Sequence, residues 1–182
     1  MAGGNAERDF EAAVLPHLDA AYNLARWLMR NAEDAEDVMQ DAVVRALTYF
    51  AGFRGANPRG WFLQIVRNAA YASMKVNQGA RLVPLAAGTD DESGFGTLVP
   101  ELADAGDDPE SALMESRTRQ NVERLLAALP PELREAIVLR ELQELSYKEI
   151  SQITETPIGT VMSRLWRARR LLSEMAKGED ER

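Results

Sequence analysis

The 182-residue sequence contains no cysteine and a single histidine, His17. The absence of cysteine excludes disulfides, zinc–thiolate sites and thiol redox sensing by this chain itself. One histidine cannot build a histidine-based metal site and offers little for a catalytic triad. His17 lies near an apolar stripe, where we expect it only to pack. The sequence therefore predicts neither a bound metal nor another cofactor.

Long apolar runs are also missing, although 46% of the residues are hydrophobic. A membrane-spanning helix needs about 20 consecutive apolar residues, and no segment offers them. The first residues show no basic stretch followed by an apolar one, which is the pattern of a secretory signal. We therefore expect a cytoplasmic protein without direct membrane insertion.

The formal net charge of −8 has the wrong sign for a protein that binds nucleic acid. The acidic excess is confined to one segment, because residues 78–115 hold 1 basic and 9 acidic side chains. Residues 1–77 have a net charge of −1, and residues 116–182 have a net charge of +1. The acidic composition therefore does not argue against a nucleic-acid partner.

Hydrophobic periodicity predicts an all-α protein made of two small helical domains. The first domain covers residues 1–77 and the second covers residues 108–182. Between them, residues 78–107 lose all periodicity and carry runs of aspartate and glutamate, which is typical of a flexible, self-repelling linker. Neither domain has a large core, so docking between domains or on a partner is expected to contribute to order.

The second domain ends in a pattern that predicts a helix-turn-helix. Ser146 and Glu149 have the spacing of a capping box. Thr156 and Pro157 are expected to cap and open a longer second helix. From Pro157 to Ser173 this helix has four arginines and no acid, which suits a DNA major groove. A helical hairpin with a solvated basic face is the alternative. The predicted outer face carries Thr160, Met162, Ser163, Arg164, Arg167 and Arg170.

Two polar faces stand out in the first domain. One follows the predicted helix 32–50 and carries Asp34, Asp37, Asp41 and Arg45. It indicates a solvated surface, since stacked helical acids without histidine form a poor metal site. The other face follows the predicted helix 58–76. It combines amides, an aromatic ring and cations that suit unstacked bases and phosphates, although an ordinary amphipathic helix fits equally well. Its members are Gln64, Arg67, Asn68, Tyr71 and Lys75.

Three stretches together resemble the extracytoplasmic-function (ECF) group of the bacterial sigma-70 family of RNA polymerase sigma factors. Residues 32–46, AEDAEDVMQDAVVRA, are similar to the family's core-polymerase-binding helix. Residues 53–68, from FRG to WFLQIVRN, are similar to its promoter-melting segment. Residues 129–140, LPPELREAIVLR, lead into a helix-turn-helix with GTVMSRL. The three occur in the family's order and cover nearly the whole chain.

The resemblance implies a sigma factor that binds core RNA polymerase and directs promoter-specific transcription initiation, under the control of an anti-sigma factor. Domain 1 would be region 2, and domain 2 would be region 4. The residues implied to dock on the largest subunit of the polymerase are Asp34, Asp37, Gln40, Asp41 and Arg45. Those implied to read and melt the minus-ten element are Phe53, Arg67, Asn68, Tyr71 and Lys75. Those implied to read the minus-thirty-five element are Thr160, Met162, Ser163, Arg164, Trp166 and Arg167.

The resemblance further implies that the helix at 132–142 meets the flap of the second-largest subunit. No small-molecule substrate and no chemistry of its own are expected. Two alternatives stay open. One is a sigma mimic that sequesters an anti-sigma factor, which would not need the arginine-rich helix or the pair Phe53 and Asn68. The other is a carboxylate-metal hydrolase using Asp34, Asp37 and Asp41, for which no nucleophile and base are visible.

Overall fold

The computed structural model describes the backbone of residues 3–81 and 109–180. Most of the predicted linker at 78–107 lies outside the described residues. The fold is all-α, as the sequence predicts. None of the helices within the described ranges is long and apolar enough to cross a membrane.

The N-terminal region is built from helices α1 to α4, joined by short turns. The helices are α1 (Gly3–Val14), α2 (Leu18–Met29), α3 (Ala32–Tyr49) and α4 (Pro58–Arg81). A 3₁₀ turn at Leu15–His17 separates α1 from α2, because Pro16 has no N–H for a helical hydrogen bond. Another 3₁₀ turn follows α3 at Phe50–Gly52. Helix α4 continues through Arg81, past the end predicted for it near residue 76.

Side-chain caps fix where two of these helices begin. The Asn31 side-chain carbonyl accepts the Asp34 backbone N–H at 2.7 Å, at the start of α3. The Asn57 side-chain carbonyl accepts the Gly60 N–H at 2.9 Å, and Pro58 opens α4. Each cap satisfies one N–H that has no partner inside its helix. Both caps agree with the sequence-based prediction, and they orient α3 and α4, which carry the two polar faces.

The C-terminal region begins at a proline, as predicted. Its helices are α5 (Pro109–Ala128), α6 (Pro131–Ile137), α7 (Tyr147–Thr154) and α8 (Ile158–Asp180). Helix α6 continues directly into a π-helical turn, Val138–Leu142. Residues 133–139 are buried all round, which is unusual for a helix that contains the charged side chains of Arg134 and Glu135.

The two regions share one continuous hydrophobic core. Helix α2 packs against α6 and the π-helical turn, and α4 packs against α7. The fully buried members from the first region include Leu24, Leu28, Phe62, Leu63 and Val66, and those from the second include Leu129, Leu139, Ile150, Ile153 and Leu165. This packing is the source of the contacts between regions that are described below.

Arg134 connects the two regions at the centre of this packing. Its side chain is 3% exposed, and its guanidinium donates to the carbonyls of Leu126, Ala127, Leu129, Trp27 and Leu28. Burial, with the nearby charge of Arg30, lowers the pKa of Arg134 to about 10. The group therefore stays protonated at neutral pH, and its N–H groups remain available as donors.

Candidate nucleic-acid interface

The C-terminal region contains the predicted helix-turn-helix. Ser146 accepts the Glu149 N–H at 3.2 Å, and the Glu149 carboxylate accepts the Ser146 N–H at 2.8 Å, so the capping box is complete. These bonds lower the pKa of Glu149. Helix α7 ends at Glu155, whose φ of 52° is in the left-handed region. Ile150 and Ile153 pack with the first buried turns of α8.

The start of α8 differs from the prediction. Thr156 does not cap the helix, and Pro157 precedes its first residue, Ile158. The Pro157 carbonyl accepts the N–H groups of Thr160 at 2.9 Å and Val161 at 3.1 Å. The Thr156 hydroxyl instead shares a 2.8 Å hydrogen bond with the Thr154 hydroxyl. The side chain is already engaged across the turn and cannot also serve the new helix.

The outer face of α8 is open to solvent. Met162 is 52% exposed and Trp166 is 61% exposed, and Ser163 and Arg167 are exposed beside them. Thr160 and Arg164 are half-buried. The structure thus brings all six predicted minus-thirty-five residues onto one accessible helix, with Val161 and Leu165 buried on the opposite side. A basic face supported by a short helix has the form needed to enter a major groove.

The polar stripe of α3 is exposed and contains a local ion pair. Asp37, Gln40 and Asp41 face solvent, and the Arg45 guanidinium lies 2.9 Å from the Asp41 carboxylate. Asp34 is half-buried, because its carboxylate accepts the Asn31 amide at 2.6 Å. Val44, Leu47 and Tyr49 add exposed apolar area near the end of the same helix. Within the described residues no group of three or more acidic or histidine side chains could hold a metal.

The predicted minus-ten residues form two separate groups. Phe53 lies after the 3₁₀ turn, with its ring 4.7 Å from the Trp61 ring and 6.3 Å from the Phe50 ring. A Cβ at Gly55 would lie 2.8 Å from the Phe53 ring, so glycine is required for this approach. Asn68 and Lys75 are exposed on α4. No hydrogen bond connects Phe53 to Asn68 within the described chain, so their pairing on one base stays a prediction.

Arg67 and Tyr71 make contacts that the sequence does not predict. The Arg67 guanidinium lies over the Tyr71 ring at 4.5 Å and donates to Glu135 of α6 at 2.7 Å. The Tyr71 hydroxyl donates to the second Glu135 oxygen at 3.3 Å. The Glu135 side chain is fully buried, whereas that of Arg67 is 15% exposed. Two residues expected to meet DNA are therefore turned towards the protein's own second region.

Burial determines the electrostatics of this cluster. Desolvation raises the pKa of Glu135, opposed by the Arg67 and Arg164 cations and by the hydrogen bonds. Desolvation and the Glu135 charge raise the pKa of Tyr71, so its hydroxyl stays protonated and donates. Because the raised pKa of Glu135 shows that burial outweighs attraction, the ion pair by itself contributes little to stability.

Gln143 and Arg59 form a second polar cluster between the regions. The Arg59 guanidinium donates to the Gln143 carbonyl at 2.9 Å and to its side-chain oxygen at 3.0 Å. The Gln143 amide donates to the Ala20 carbonyl at 3.3 Å. Sequence analysis missed Arg134, Glu135 and Gln143. The available signal was the presence of charged side chains between Leu133 and Leu139, where every position should be apolar.

Comparisons with known proteins agree with this architecture. Residues 13–79 match a family model described as Sigma-70 region 2, and residues 119–172 match one described as Sigma-70, region 4. The RNA polymerase sigma-H factor of Pseudomonas aeruginosa is 31% identical over 169 residues, which covers 92% of this chain and 86% of that protein. The ECF RNA polymerase sigma-E factor of Escherichia coli K12 is 37% identical over 139 residues, which covers 75% of this chain and 70% of that protein.

Solved structures give a similar result. The sigma factor RpoE of Bartonella quintana, solved in complex with the anti-sigma factor NepR, aligns with a TM-score of 0.69 and 27% identity. The alignment covers 93% of this chain and 98% of that one. CnrH, solved in complex with the cytosolic domain of CnrY, aligns with a TM-score of 0.63 over 94% of this chain and 90% of that one. Its identity is 23%, so this match shows the fold alone.

Proposed function

Because the chain belongs to the ECF group of the sigma-70 family, we propose that it binds core RNA polymerase and directs promoter-specific transcription initiation. It acts as a binding subunit without chemistry of its own. The observation that carries the proposal is the helix-turn-helix whose second helix exposes arginines, a serine and two large apolar side chains on one face.

In this proposal, α8 reads the minus-thirty-five element. An arginine can donate two parallel hydrogen bonds to guanine, and apolar groups can contact thymine methyl groups in the major groove. Arg167 is exposed and free to reach bases, and Met162 and Trp166 offer apolar surface beside it. The residues assigned to this element are Thr160, Met162, Ser163, Arg164, Trp166 and Arg167.

We assign the minus-ten element to the N-terminal region. Bases of a melted strand are held by stacking on aromatic rings and by hydrogen bonds to their edges, which offset the loss of base stacking. Phe53, at the edge of an aromatic cluster, offers the ring, and the exposed Asn68 offers an amide. Arg67, Tyr71 and Lys75 assist by contacting phosphates and neighbouring bases.

Core polymerase docks on α3 through Asp34, Asp37, Gln40, Asp41 and Arg45, which contact the largest subunit. The exposure of most of this stripe supports the assignment, because charges at an interface rim direct partner choice. The segment at 132–142 contacts the second-largest subunit. An anti-sigma factor controls the chain, and this is supported by similar sigma factors that were solved with anti-sigma partners.

Selection of DNA by the assembled complex tests the proposal. Core polymerase and the full chain are mixed with a random duplex library, and bound DNA is recovered and sequenced. We expect two short enriched motifs separated by a fixed spacer. Assembly with core polymerase but no enriched motif would contradict promoter reading and favour the sigma mimic. Absence of assembly would contradict the sigma function altogether.

We predict that Arg164→Ala and Arg167→Ala each weaken binding to the selected duplex by about 1–3 kcal/mol, the value of a bidentate contact to guanine. Discrimination between bases should relax at one position of the upstream motif in each variant. Arg169→Ala is the matched control, since Arg169 is turned towards Glu141 at 2.7 Å. An unchanged footprint and affinity in both variants would refute these two assignments.

A further inference from the structure

Two of the five residues assigned to minus-ten DNA already have partners inside the chain. Glu135 accepts from Arg67 at 2.7 Å and from Tyr71 at 3.3 Å, on the side of α4 that faces α6. A carboxylate and a DNA phosphate are both anions that accept hydrogen bonds from a guanidinium. Glu135 therefore occupies the position that an anion of the nucleic acid would need beside Arg67.

Other contacts hold the two regions together independently of Glu135. Gln143 bonds to the Ala20 carbonyl and to Arg59, and Arg134 donates to the carbonyls of Trp27 and Leu28. Gln64 donates to Glu155 at 2.8 Å at the exposed edge. Among the described side chains, no buried nitrogen or oxygen lacks a hydrogen-bond partner. We call these contacts of α2 and α4 with α6, the π-helical turn and α7 the inter-region contact.

The inter-region contact covers one proposed binding surface and leaves two others open. The α3 stripe is exposed at Asp37, Gln40 and Asp41. The reading face of α8 is exposed at Met162 and Trp166. Only the minus-ten face of α4 is partly covered. The arrangement thus separates docking on core polymerase, which needs no rearrangement of α3, from capture of the melted strand.

We infer that the inter-region contact is an autoinhibitory device, in which the second region masks the minus-ten face until core polymerase or promoter DNA separates the two regions. This inference rests on the proposed function. Strand capture then requires the open form, so the apparent affinity for the strand is reduced by the fraction of molecules that are open. Any partner that binds only the open form shifts the population towards it.

A reversible lock tests the inference directly. The sequence has no cysteine, so Gln64→Cys and Glu155→Cys create the only two thiols. A short bis-maleimide with a cleavable disulfide joins them in the closed form, because the native side chains are in contact. The full locked chain is mixed with core polymerase. It is then offered the labelled single strand that carries the downstream motif from the selection experiment above.

The locked chain is expected to remain bound to core polymerase through α3 and to bind the strand at least about tenfold more weakly than the reduced chain. Reduction should restore strand binding in the same sample. Equal strand affinity before and after reduction would overturn the inference. If the reduced chain binds core polymerase but never the strand, the minus-ten assignment fails, and the inference fails with it.

A second variant opens the contact without touching any residue assigned to DNA. Gln143→Ala removes hydrogen bonds to Arg59 and Ala20, and one buried polar group left unsatisfied shifts an equilibrium by about tenfold. The free full chain should then bind the labelled strand about tenfold more tightly. Gln120→Ala makes the same chemical change at an exposed position of α5 and should match the wild-type chain. Wild-type affinity in Gln143→Ala would contradict the inference.

Discussion

Replacing Arg134 by methionine is expected to lower the free energy of unfolding by about 2–5 kcal/mol, a large fraction of the stability of a small protein. Methionine fills a similar volume without donors, so the carbonyls that accept from Arg134 in both regions lose their partner at once. These carbonyls are buried against α6, where water cannot replace the donor without opening the core. Urea unfolding followed by circular dichroism measures the change.

Arg167→Met is the matched control for this measurement. Arg167 is exposed on α8 and makes no buried contact, so its replacement should change the free energy of unfolding by less than about 0.5 kcal/mol. If Arg134→Met unfolds at the wild-type urea concentration, the guanidinium does not hold the two regions together in solution. The closed arrangement of the regions would then need a different explanation.

Charge reversal on α3 is expected to have the second large effect. Asp37→Arg places a cation in the exposed acidic stripe, and a like charge facing a complementary surface costs several kcal/mol, about 2–5 kcal/mol in binding. Assembly with core polymerase should therefore be lost at micromolar concentrations. Binding of α8 to isolated upstream duplex should persist, because Asp37 lies on another helix in the other region.

Glu36→Arg provides the control, since it makes the same charge change at an exposed neighbouring position outside the stripe. Co-purification of each variant with core polymerase gives the comparison. Wild-type yield for Asp37→Arg would show that α3 is not the docking surface. Equal losses in both variants would show that net charge, and not the position of Asp37, controls assembly.

The helices and most of their starts could be predicted from the sequence, because these features depend on neighbouring residues. A capping box needs only Ser146 and Glu149, three residues apart, and the start of α4 needs only Asn57 and Pro58. The prediction was wrong at Thr156, where a hydroxyl across the turn competes for the side chain. Local signals decide a helix start only when no tertiary partner is within reach.

The inter-region contact could not be predicted from sequence spacing. Arg67 and Glu135 are 68 residues apart, and Arg59 and Gln143 are 84 residues apart. No periodicity connects residues across such distances, and polar side chains in a helix are ordinarily interpreted as solvated. The structure shows instead that the burial of α6 brings Arg134 and Glu135 against the first region. A charged side chain at a position where the pattern requires an apolar one was the signal that such a partner exists.

Promoter-directed transcription in a defined mixture tests the central claim most directly. Purified core polymerase, the full chain and a template carrying the selected motifs are combined with nucleotides, and run-off RNA is measured. The sigma function predicts a discrete transcript that requires the chain and disappears with Asp37→Arg but persists with Glu36→Arg. Transcription by core polymerase that the chain does not redirect to the selected motifs would contradict it.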